Sequence, residues 1–265
     1  ILSAPITVSP ANYLDGVLPD LILLPLANLF DDPVIIFEEI INYASQQAPR
    51  LLSQQYLVLF NWIAQKAGKV SWIERSGGSI AHLPEFFELF PKGKFLHLHR
   101  NPLDASLSMQ KHNHFRLRTF KHYQLKTRSG VSWKDLDKND LHNEIPMSDK
   151  LRDIFEHPVP LNYFLKDWND SIIRGMTILK DLSREQYSEI SFEEIMDQPQ
   201  NSLDKISTFF ELPSSSGWIE QACSLLKKGQ SAHTEPNTEQ LQLLRKHCHS
   251  AMVLLGRENT MEIYN

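Results

Sequence analysis

The chain has 265 residues, 42% of them hydrophobic and 22% charged, with a formal net charge of -5. That length can bury one large core, at ~100–200 residues per domain, and a net negative molecule offers no global field for nucleic acid. Two cysteines, Cys223 and Cys248, are too few for a disulfide framework, so a reduced, cytoplasmic protein is expected. No apolar run approaches the ~20 residues of a membrane helix.

Ile1 to Pro5 reads as the end of a short buried strand. The sequence starts there without a Met or a signal-like segment, which fits a domain excised from a larger chain or a beginning left out. Val34 to Ala44 and Leu51 to Lys66 carry helical periodicity. Val70 to Glu74 is a second strand candidate. Ile80 to Phe90 suits a short helix with Ser79 as N-cap. Phe95 to His99 is a third strand, and Pro102 opens a helix running to about His114. Lys126 to Pro158 is long and polar, the pattern of a functional or mobile segment, here a mobile cap. Val159 to Leu182 returns to a helical pattern, and Tyr187 to Phe192 is a fourth strand. Leu203 to Phe210, Trp218 to Leu226 and Glu239 to Leu255 are helical. Strands separated by helices predict a βαβ series with a parallel sheet. No linker divides two compositions, so residues 1–265 read as one domain.

The run from Phe95 to Met109 is the most informative. An alternating strand ends in Arg100, a Pro starts the next helix, and Ser108 lies eight residues past the Arg. A guanidinium at the carboxyl end of a strand presents a planar fork of donors suited to phosphate, and Ser108 adds a hydroxyl. Asp104 would brace the Arg or the helix start. An isolated strand-end Arg would as readily pair with a surface carboxylate.

The order of motifs settles more than any one of them. Arg100-Asn-Pro-Leu-Asp-Ala-Ser-Leu-Ser108 resembles the 3′-phosphate segment of sulfotransferases that use 3′-phosphoadenosine 5′-phosphosulfate (PAPS). Ile190-Ser-Phe-Glu-Glu-Ile-Met-Asp-Gln-Pro199, followed by Leu203 to Phe210 and Glu211-Leu-Pro213, resembles that family's "YEDL…P…L…I..FL.LP" stretch. Trp168 and the segment Leu83 to Pro91 also fall in family order. Lys227, Lys228 and Gly229 are similar to the basic segment that closes over the 3′-phosphate in some members, though a solvated helix end fits them equally.

The resemblance implies a three-layer α/β sandwich with a central parallel sheet, like the P-loop nucleotide kinases. It implies PAPS as donor, PAP as product and no metal. Arg100 and Ser108 would hold the 3′-phosphate, and Phe192 would sit near adenine. Glu74-Arg-Ser-Gly-Gly-Ser79 stands where many members carry a Lys near the sulfonate, so Arg75 becomes the replacement cation; an ordinary Gly-rich turn is the plain alternative. Asp20, in Pro19-Asp-Leu-Ile-Leu-Leu-Pro25, stands where "PELHLLP" members have Glu and is the candidate base, with a helix cap as the equal alternative. The 5′-phosphosulfate loop, Pro-Arg-Ser-Gly-Ser/Thr-Thr-Leu in the family, does not appear between Pro5 and Pro19. Either its flanks are joined in the numbering or the protein has lost it; the intact flanks favour the first.

"ILSAP", "PDLILLP" and the Glu74–Ser79 segment together look closest to sulfotransferase domains of olefin-forming polyketide synthases. Those sulfate the β-hydroxyl of an acyl chain on an acyl carrier protein before decarboxylative alkene formation. The cations Lys111, Arg116, Arg118, Lys121, Lys126 and Arg128, interleaved with His112, His114 and His122, fit an acidic carrier, or a nucleic-acid patch, or a solvated face. No partner in nucleic acid or membrane is expected. The rivals are a non-catalytic nucleotide- or carrier-binding module and a small-molecule kinase, whose Gly-x-x-x-x-Gly-Lys-Ser/Thr loop is absent. His247 and His249, two apart on a helix, do not converge, and no zinc-type spacing completes either these with Cys248 or His97 with His99 as a metal site. His157 is a candidate substrate-side group, with a surface His as its alternative.

Overall fold

In the computed structural model, residues 7–8, 25–75, 79–137, 140, 147–213, 216–226 and 235–257 are described. They fall into two compact units, residues 1–79 with 85–91, and residues 80–84 with 92–265.

In the first unit, Thr7–Val8 (β1) pairs antiparallel with Arg50–Leu51 (β2). Helix α1 spans Pro33–Ser45. Asp32 caps it, its carboxylate accepting the Val34 and Ile35 amides at 3.1 Å each, while Pro33 supplies a preset φ. Helix α2 spans Leu52–Lys66. Rings join the two helices, Tyr43 stacking on Trp62 with centroids 4.9 Å apart, and Phe60 of α2 meets Trp72 of the following segment at 4.7 Å. Gly68, at φ +65°, ends α2, and the Lys69 amide returns to the Ala64 carbonyl at 2.8 Å.

The strand predicted over Val70–Glu74 does not form. Val70 is fully exposed at 102%, and Trp72 turns back to donate to Asn61 Oδ1 at 3.0 Å. A β-prone run becomes a strand only where a neighbour pairs with it. The helix predicted from Ile80 starts later, at Leu83. Ser79–His82 is a 3₁₀ turn, and α3 spans Leu83–Leu89.

In the second unit, Phe95–His99 (β3) and Tyr187–Ser191 (β4) pair in parallel, Phe95 beside Tyr187 and His99 beside Ser191. The crossover between them carries α4 (Pro102–Lys111), α5 (Asn113–His122), α6 (Asp149–Glu156) and α7 (Leu161–Leu179). After β4 come α8 (Phe192–Asp197), α9 (Pro199–Phe209), α10 (Ser216–Leu225) and α11 (Thr238–Leu254). The predicted parallel α/β arrangement is present. The strand predicted over Ile1–Pro5 lies outside the described residues.

Helix α7 is the spine of this unit. Phe164, Leu165, Trp168, Ile172, Met176 and Leu179 are buried at helical spacing. Leu165 onward packs with Leu103 of α4 and with Leu244, Cys248, Ala251 and Met252 of α11. Gly175 sits mid-helix because a Cβ there would lie 2.3 Å from Ile80 Cγ1. That close approach offsets the roughly 1 kcal/mol that Gly costs a helix. A second cluster joins Phe120, Ile154, Val159 and Phe164.

That second cluster anchors part of the segment predicted as one long loop. Leu151 and Ile154 are buried on α6, and Ser148 caps the helix through the Leu151 amide at 3.2 Å. Lys126 bridges to Ser132, and Thr127 Oγ1 donates to Asp153 at 2.6 Å. No helix among the described residues is long and apolar enough to cross a membrane.

Candidate anion-binding site

Arg100 and Phe192 are the residues that follow the paired ends of β3 and β4, so the register sets them side by side. The Arg100 guanidinium lies over the Phe192 ring, 4.8 Å from its centroid. The face of the ring holds the cation flat and partly desolvated. Arg100 Nε is buried and has no hydrogen-bond partner among the described residues. A buried donor without an acceptor is costly, and an anion at this position would satisfy it.

The start of α4 shows which groups are left for that anion. Asn101 caps the helix, its Oδ1 accepting the Leu103 amide at 2.9 Å and the Asp104 amide at 3.4 Å. Pro102 has no amide hydrogen. The Asn101 amide itself donates to Glu193 Oε1 at 2.9 Å, and the Ala105 amide to the Asn101 carbonyl at 2.9 Å. The first amides of α4 are therefore occupied. An anion at this position would meet side chains, above all Arg100.

Ser108 is exposed two turns along α4, one turn beyond the buried Asp104. Its hydroxyl is free to solvent on the face that begins at Asn101. Glu193 is mostly buried, and its other oxygen lies 3.6 Å from an Arg257 nitrogen. Ser191 caps α8 by accepting the Glu194 amide at 3.0 Å, which fixes the turn carrying Phe192 and Glu193.

Below this rim, β3 is inside out. Alternation alone would bury its leucines, yet Leu98 is 48% exposed while His97 and His99 are each 7% exposed. Their rings lie 5.1 Å apart, and neither Nδ1 has a hydrogen-bond partner among the described residues. Burial lowers the His97 pKa to about 4. Burial, then His97, then Arg257 lower that of His99 to about 3. Both stay neutral at ordinary pH and keep positive charge out of the strand.

Of the other predicted site residues, Arg75 is exposed on the first unit. Asp20, Lys227, Lys228 and Gly229 lie outside the described residues, as do Gly77 and Gly78. His157 is half-buried. Its carbonyl accepts from Arg116, and its ring meets Phe120 edge-on at 5.7 Å. Glu193 and Arg257 were not singled out from the sequence. Nothing local marks either as part of a site, because each acts through a partner far away in the chain.

Comparison with known proteins bears on the same residues. The family model of the sulfotransferase domain matches residues 79–250, which include β3, Arg100, Ser108, Phe192 and Glu193. Among solved structures, the chain is similar to the "Sulfotransferase Domain from the Curacin Biosynthetic Pathway", with a TM-score of 0.51 and 13% identity over 92% of this chain and 84% of that one. The likeness to that structure is one of fold. A comparison with curated proteins returns no match. With a family match over well over half its length, and the same α/β fold, the chain belongs to the sulfotransferase domain family.

Proposed function

We propose that this sulfotransferase takes its sulfonate from PAPS and delivers it to an acceptor hydroxyl, releasing PAP. The observation that carries the reading is Arg100, stacked on Phe192 with a buried nitrogen that lacks an acceptor. A 3′-phosphate supplies that acceptor, and Ser108 adds a hydroxyl from the same helix. PAPS brings an activated sulfonate on a good leaving phosphate, so the chain needs only to orient it, stabilise leaving charge and accept the acceptor's proton. In this reading Arg75 is the cation for the sulfonate and Asp20 the base. Lys227, Lys228 and Gly229 close over the 3′-phosphate, Phe192 lies toward adenine, and residues 126–158 cover the acceptor.

For the acceptor we favour a β-hydroxyacyl chain on an acidic carrier protein, ahead of alkene formation. Residues 111–134 hold seven Lys and Arg and no Asp or Glu, in a chain whose net charge is -5. Lys111, Lys121, Lys126, Arg128 and Lys134 are all exposed. Such a face raises the encounter rate with an acidic partner. The fold relative comes from the curacin biosynthetic pathway, which agrees with this choice. The test is a transfer assay with labelled PAPS, comparing a β-hydroxyacyl carrier protein with free alcohols. Faster transfer to the carrier-bound acyl chain, weakened by added salt, is expected. Transfer to free alcohols at an equal or higher rate overturns the carrier assignment.

A further inference from the structure

We propose that Arg257 is a positioning residue of the anion site, acting by neutralising the charge of Glu193. This inference rests on the assignment of Arg100 to the donor's 3′-phosphate. The starting observation is electrostatic. Glu193 places a mostly buried carboxylate against the Asn101 amide, one residue from Arg100. An uncompensated carboxylate there repels any phosphate that Arg100 attracts.

Arg257 supplies the compensation, 3.6 Å from Glu193 Oε2. Its place is set by the end of α11. Gly256 has φ +62°, its amide donates to the Val253 carbonyl at 3.0 Å, and the Arg257 amide donates to the Met252 carbonyl at 2.8 Å. That is a Schellman cap, which turns the chain sharply as the helix ends. The last described residue of the chain is thereby brought to the switch between β4 and α8. Helix α11 packs on α7 and α4 through Met252, Ala251 and Leu103, so the arm carrying Arg257 is rigidly based.

Two consequences follow for the site. The carboxylate keeps its hold on the Asn101 amide, which keeps the α4 start, and Arg100 before it, in one geometry. The local charge also changes from one cation facing one anion to a net positive site. Arg257 lies beyond residue 250, where the family match ends.

The experiment is calorimetric titration of the full chain with adenosine 3′,5′-bisphosphate, in wild type, Arg257→Ala, Glu193→Gln and the double variant. Gln at 193 keeps an acceptor for the Asn101 amide and removes the charge. Arg257→Ala is expected to bind about tenfold more weakly, and Arg257→Ala with Glu193→Gln to recover to within about twofold of wild type. Equal affinity of Arg257→Ala and wild type overturns the inference, as does a double variant no tighter than Arg257→Ala. Arg257→Lys, which keeps the charge, is expected to bind nearly as wild type and serves where the Ala variant does not fold. Should wild type itself fail to bind, the 3′-phosphate assignment falls instead, so the two failures are told apart.

Discussion

Two arginines of the second unit, Arg100 and Arg116, put the same side chain to opposite uses. Arg116, on α5, is 9% exposed. It donates to the Gln110 carbonyl at 2.8 Å and to the His157 carbonyl, tying the ends of α4 and α6 to α5. Arg100, at the rim of β3, rests on the Phe192 ring; the Nε of each arginine is buried without a partner among the described residues, so the two differ in their terminal nitrogens, which only Arg116 gives to carbonyls. A cation spent on backbone carbonyls is part of the architecture. One given to no carbonyl, at the carboxyl end of a parallel strand, is the candidate for binding an anion. In the sequence Arg116 reads as one more member of a basic run, because only the fold shows that carbonyls from two other segments converge on it.

The sharpest way to break this comparison is stability. Arg116→Ala leaves two carbonyls without donors, at about 1–3 kcal/mol each, so a loss of about 4 kcal/mol in denaturant unfolding is expected. Arg100→Ala, with no carbonyl to abandon, should change stability by less than about 1 kcal/mol. A large loss for Arg100→Ala and a small one for Arg116→Ala would reverse the two roles.

The response to acid bears on the strand that carries Arg100. In the unfolded chain His97 and His99 titrate near 6.5, whereas in the fold they stay neutral to about 4 and about 3. The unfolded chain therefore binds more protons between those values, and stability falls as pH drops below 6.5. The loss reaches on the order of 3 kcal/mol for each histidine by pH 4, about 6 kcal/mol for the pair. Unfolding followed from pH 7 to 4 checks it, and His97→Gln should flatten the slope. A stability independent of pH in that window would show that the strand's histidines are not buried as described.

The smallest effect concerns the helix start. Asn101→Ala removes the α4 cap and should cost about 1 kcal/mol in stability. It should also weaken bisphosphate binding, since amides now free no longer hold Arg100's neighbour in place. Unchanged affinity alongside the lost stability would detach the cap from the site.

These contrasts also mark what could be read in advance. The extents of β3 and the start of α4 were legible, because alternation and a Pro at N1 are local signals. The resemblance named Arg100 for the phosphate and Phe192 for the adenine, and their direct contact is seen only in the fold. The inward histidines were not legible, since alternation says which residues share a face but not which face is buried. Helix α6 was missed because Leu151, Ile154 and Phe155, although at helical spacing, make only two turns inside a long polar run. Val70–Glu74 was misread because strand propensity needs a partner that this run lacks among the described residues. Arg257 was invisible because its role depends on a turn at Gly256 and on a carboxylate 64 positions earlier.

Arg100 is expected to supply most of the affinity for the donor's 3′-phosphate. Calorimetry with adenosine 3′,5′-bisphosphate is expected to show binding by wild type and a loss of about 100-fold in Arg100→Ala, about 3 kcal/mol, with 5′-AMP binding both proteins weakly and alike. Equal bisphosphate binding by the two proteins, or none by wild type, would contradict it.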